Sequence, residues 1–71
     1  MSYLEAREWA DMEDRIAAAE ELLRRKQAVL EDPDVVVDAT RLQGALAEAE
    51  TTKSAVDKLF ARWAKLEAKQ T

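Results

Sequence analysis

Trp9, Met12, Ile16, Ala19, Leu23, Lys26 and Leu30 recur in alternating steps of three and four, and Leu42, Ala45, Ala49, Thr52, Val56, Leu59, Trp63 and Leu66 repeat the pattern further along the chain. That alternation is the seam of a coiled coil, in which a helix buries one narrow face against a partner. Between the two seams stands Asp32-Pro33-Asp34. Pro33 disfavours helical geometry in Asp32 and has no backbone donor, so the chain turns there. Two seams of similar length on either side of a break fold back most economically as an antiparallel hairpin. The expected fold is therefore all-α, a two-helix antiparallel coiled-coil hairpin in one domain. Its helices cover about 3–31 and about 40–69, with a turn over about 32–39. In that register Ile16 faces Val56, Leu23 faces Ala49, Leu30 faces Leu42, and Trp9 meets Trp63 at the open end.

Local signals mark the helix ends. Ser2-Tyr3-Leu4-Glu5 has the form of a capping box, the Ser2 hydroxyl accepting from the Glu5 amide and the Glu5 carboxylate from that of Ser2. Asp32 before Pro33 is the order of an N-cap and a first helical residue, predicting a short helical turn through Val35, Val36 and Val37. A strand reading of those valines has no second segment to pair with. Asp38 or Thr40 caps the second helix, Thr40-Arg41-Leu42-Gln43 being another candidate box. Leu46 and Phe60 widen the second seam on one side. Gly44 costs that helix about 1 kcal/mol relative to Ala, and Thr51-Thr52-Lys53-Ser54 is a weakly helical stretch. A helix from Tyr3 to Glu31 is roughly 43 Å long, so the molecule is a rod without a concave face.

With 71 residues, such a chain is too small for an enzyme-like pocket beside its core. It has no histidine and no cysteine, which leaves zinc sites, His-based catalysis and thiolate chemistry without candidates. Asp32, Asp34 and Asp38 lack the glycine and distal Glu of a calcium loop and read as caps. No catalytic, cofactor or metal site is expected. No apolar run approaches the roughly 18 residues of a membrane span, and no signal peptide opens the chain, so a soluble cytoplasmic domain is expected. Trp9, Trp63, Phe60 and Tyr3 at helical spacing read as core or core edge, not as base-stacking platforms.

The net charge of −4 repels polyanions, so any nucleic-acid contact needs a locally basic face. Lys58, Arg62, Lys65 and Lys69, in steps of four, three and four, supply one on the second helix. Arg24, Arg25 and Lys26 form a second basic cluster, whose plain explanation is the negative end of the first helix dipole. The first helix opens acidic, with Glu5, Glu8, Asp11, Glu13 and Asp14, beside the stripe. Interhelical pairs such as Glu8 with Arg62, and Glu20 with Lys53 on the other flank, are therefore a second reading of the same cations. Phosphate contact and interhelical pairing both remain open at this level.

Ser-Tyr-x-Glu-x-Arg-Glu at Ser2 to Glu8, Leu-x-Asp-Pro-Asp at Leu30 to Asp34 and Arg-Trp-x-x-Leu-Glu at Arg62 to Glu67 occur together and in order. With them the chain resembles, over essentially its whole length, the C-terminal coiled-coil domain of ABC-F proteins of the Uup type. The resemblance implies a domain that follows two ATP-binding cassettes in a cytoplasmic, non-transporting ATPase and is associated with DNA, with RNA or the ribosome as an adjacent possibility. On that reading the phosphate contacts fall to the basic face already noted, Lys58, Arg62, Lys65 and Lys69, joined by Arg24, Arg25 and Lys26. A structural or protein-interaction coiled coil, using Leu22, Val29 and Leu46 at its edges, is the alternative. Ala64-Lys65 departs from the acidic pair common after the Trp, and Thr51 to Ser54 replaces a more regular stretch. The family's ATPase residues do not carry over, because the phosphate-cradling glycine-rich loop is absent from this chain.

Overall fold

The computed structural model describes residues 2–69. Helix α1 spans Tyr3–Val29, a short α2 spans Pro33–Val36, and α3 spans Ala39–Ala68. The long helices pack along their length as an antiparallel hairpin, with α2 lying against α3 at the closed end. The result is a rod of 51 × 16 × 15 Å. No strand occurs among the described residues, and Val35 to Val37 belong to α2 and its cap.

The ends follow from capping chemistry. Ser2 and Glu5 form the capping box that opens α1. Asp32 accepts from the Asp34 amide at 2.9 Å and starts α2 at Pro33. Asp38, not Thr40, caps α3, its carboxylate accepting from the Arg41 amide at 3.1 Å. The Thr40 box is not used, because Asp38 starts the helix at Ala39 and places Thr40 inside it. At the other end of α1 the regular helix stops at Val29, two residues before the expected Glu31. Leu30, Glu31 and Asp32 donate instead to the carbonyls of Gln27, Ala28 and Val29, a tightening common in a last turn. α3 runs unbroken through Gly44 and through Thr51 to Ser54, the Thr52 hydroxyl donating to the Glu48 carbonyl at 2.8 Å.

Burial follows the two seams. Met12, Ile16, Ala45, Ala49, Val56 and Leu66 are buried, and the remaining seam residues are all partly buried. Leu46 and Phe60 do not widen the core: both stay exposed. Each lies a further step round α3 from the residues that face α1, and a two-helix rod has no third element to cover that flank. Met12, Ile16 and Leu66 form the tightest cluster, with Trp9, Leu59 and Trp63 packed around it. The largest side chains thus sit at the open end, while the closed half of α3 meets α1 through the alanines at 45 and 49. The Trp9 indole Nε1 is buried without a hydrogen-bond partner among the described residues. Such a donor costs about 1–3 kcal/mol, against which stands the apolar packing of Trp9 on Met12, Ile16 and Leu66.

Candidate nucleic-acid interface

The C-terminal half of α3 carries Lys58, Arg62, Lys65 and Lys69 within a sector of about 60°. Their side chains do not act alike. Arg62 turns toward α1 and grips Glu8 with two bonds, Nε donating to Oε2 at 2.9 Å and Nη2 to Oε1 at 2.7 Å. Lys69 Nζ donates to Oε2 of Glu5, whose Oε1 also accepts from the Ser2 amide. Lys58 and Lys65 make no ion pair among the described residues and extend into solvent.

The electrostatics agree with that division. The Lys69 hydrogen bond, followed by that of the Ser2 amide, brings the Glu5 carboxyl down to about 2. Arg62 holds the Glu8 carboxyl below the usual range, and Glu8 in turn raises the Arg62 guanidinium. Half of the basic stripe is therefore neutralised by the acidic start of α1. The Glu8–Arg62 pair is readable from the sequence. The Glu5–Lys69 pair was missed because the capping box had already engaged Glu5, yet its two carboxylate oxygens serve both roles.

The structure does not bring Arg24, Arg25 and Lys26 to one face, since consecutive helical residues are about 100° apart. Arg24 Nε donates to Glu21 at 3.0 Å, and Arg25 Nε lies 3.7 Å from the same carboxylate. Arg24 thereby lowers the Glu21 carboxyl. Lys26 occupies the seam and reaches Glu48 on α3 at 3.4 Å. Beside it Ala47, Glu48, Thr51 and Thr52 complete a shallow depression of about 320 Å³. The expected pair between Glu20 and Lys53 is not among the ion pairs of the described residues, and both side chains are exposed.

What remains open to a ligand is the outer face of α3. Thr51, Ser54, Lys58, Ala61 and Lys65 fall within about 80° of one another, and no carboxylate shares that sector. Its small side chains let a long backbone approach closely, and its two lysines are about 10.5 Å apart along the helix. Among the described residues no group of three or more His, Cys, Asp or Glu is placed to hold a metal ion. No helix among them is long and apolar enough to cross a membrane.

Comparison with known proteins gives a family match. The sequence pattern of the ABC transporter C-terminal domain family covers residues 1–68. The chain belongs to that family. No curated protein and no solved structure matches it. As an ABC transporter C-terminal domain, it contributes a helical hairpin to an ABC protein. The match covers both long helices and the turn between them, so the whole rod is the family's unit.

Proposed function

We propose that this hairpin is the accessory nucleic-acid-binding arm of a cytoplasmic Uup-type ABC-F ATPase. In this reading Lys58 and Lys65 contact phosphates without reading bases, and ATP hydrolysis belongs to the cassettes of the parent protein, not to the hairpin. The observation that carries it is the carboxylate-free outer face of α3, where these two lysines are unpaired among the described residues despite a net charge of −4. The three sequence motifs at Ser2–Glu8, Leu30–Asp34 and Arg62–Glu67 support the Uup-type branch. Arg62 and Lys69 hold the hairpin together and lend only residual charge. DNA is the expected ligand, with RNA or the ribosome as the adjacent one.

Two contacts neutralise about two phosphates, so the logarithm of affinity for duplex DNA falls with the logarithm of salt at a slope of roughly −1.8. Titration of duplex DNA and single-stranded RNA at two salt concentrations, with the Lys58→Gln/Lys65→Gln and Arg62→Gln/Lys69→Gln variants, tests this. The first variant stays folded and loses most of its affinity and its salt slope. The second melts earlier and keeps most of its affinity. Undiminished binding by a folded Lys58→Gln/Lys65→Gln variant refutes the assignment.

The exposure of Leu22, Val29 and Leu46, each between 42 and 46 %, favours the second reading, a coiled coil that packs on the parent ATPase or another protein. It predicts that Leu46→Glu loses the association while nucleic-acid titrations show no binding by the unaltered chain.

A further inference from the structure

Helix α1 has a second ordered face that the hairpin does not use. Leu4, Asp11, Arg15 and Leu22 follow one another in steps of seven, four and seven, which places all four within about 40° of a single line along the helix. That line lies roughly 90° from the seam, so none of the four joins the core. Leu4 is 75 % exposed and Leu22 44 %, while Asp11 and Arg15 are exposed and make no ion pair among the described residues. Ala18 and Glu8 flank the line on its two sides, Glu8 being held by Arg62.

The order apolar, acidic, basic, apolar is symmetric about Glu13 except that the two central charges are opposite. Such a face is complementary to itself when turned end for end, the requirement for a two-fold interface between identical chains. We infer that two copies of this chain associate through α1, antiparallel, with the two-fold passing midway between Asp11 and Arg15. In that register Leu4 of each copy meets Leu22 of the other, and Asp11 of each meets Arg15 of the other. Four matched contacts thus arise from four residues. A parallel pairing in the same register sets Asp11 against Asp11 and Arg15 against Arg15, so charge selects the antiparallel arrangement. The overlap from Leu4 to Leu22 is about 27 Å long. An interface of that length between single helices falls in the small, transient class, so the expected association is weak, roughly micromolar to millimolar. Its four matched contacts come from α1 alone, so it is tested independently of the nucleic-acid reading.

Sedimentation equilibrium of the 71-residue chain over a concentration series reads the association directly. Asp11→Arg places like charges opposite each other twice and weakens association by on the order of tenfold, as Arg15→Asp does. The doubly exchanged Asp11→Arg/Arg15→Asp variant recovers it, because each new arginine then faces a new aspartate across the two-fold. Leu22→Glu abolishes it, and circular dichroism verifies that each variant keeps its helicity. A chain that stays monomeric to millimolar concentration overturns the proposal. So does a folded double exchange that associates no better than either single variant, since that outcome places the contact on another face or in another register.

Discussion

Arg62 and Glu8, 54 residues apart in sequence, meet through two parallel hydrogen bonds at 2.9 and 2.7 Å. A fork-to-carboxylate contact of this kind fixes both the distance and the angle between its helices, whereas a lysine constrains only a point. The pair therefore acts as a clasp across the open end, each partner directly preceding a tryptophan packed on the core cluster, Trp9 and Trp63. In a double-mutant cycle, Arg62→Gln and Glu8→Gln each lower the thermal midpoint, and the double variant loses less than the sum. The coupling shrinks as salt is raised, because both groups remain open to solvent. Additive losses at low salt would show that the clasp does not form.

Acid weakens the fold in a defined window. Glu5, Glu8 and Glu21 all titrate below 4.5 in the folded chain, Glu5 at about 2. Their contribution is complete above pH 4.5 and is lost as pH falls through the folded values, since the unfolded chain binds protons first. Thermal melts followed by circular dichroism at pH 7, 4.5, 3 and 2 show a midpoint that is level down to about 4.5 and then drops. Glu5→Gln flattens part of that drop.

The core is concentrated in few side chains, so truncation there is severe. Met12 is fully buried and Ile16 nearly so, and both belong to the cluster closed by Leu66. Met12→Ala and Ile16→Ala each cost about 2–5 kcal/mol, a large share of what a domain this small possesses. Denaturant melts beside the exposed Gln27→Ala control read the difference.

Gly44→Ala stabilises the hairpin. A Cβ added there meets nothing within 4 Å beyond its chain neighbours and the helix's own backbone, and Gly44 lies in regular helix, so the change removes only glycine's unfavourable propensity. A gain of about 1 kcal/mol raises the midpoint of a domain this size by about 4–8 °C.

Both seams were legible from their spacing, because in a two-helix rod the only way to hide apolar surface is along one line per helix. The limits of the elements were less legible. Asp38 and Thr40 are both good caps, and what decides between them is how α2 delivers the chain to Ala39. Leu46 and Phe60 were misread for a related reason: apolar character predicts burial only where a neighbour exists to bury it, and the sequence does not display the width of the assembly. The fate of the basic stripe was legible in part. Spacing places four cations together, but which of them bend back to α1 depends on how far each Cα stands from a carboxylate on the other helix. That distance depends on the packing register, which Glu5 with Lys69 and Glu8 with Arg62 record.

Lys26 gives the rod a property that its apolar contacts cannot. A seam of leucines and alanines tolerates sliding, since a shift by one heptad replaces apolar neighbours with others. The ammonium of Lys26 does not, because it finds Glu48 only in the observed alignment. A slip of seven residues moves that carboxylate about 10.5 Å along the axis and takes it out of reach of the ammonium. The least hydrophobic member of the α1 seam therefore acts as an alignment key, giving up some adhesion and favouring the observed alignment by up to about 1 kcal/mol.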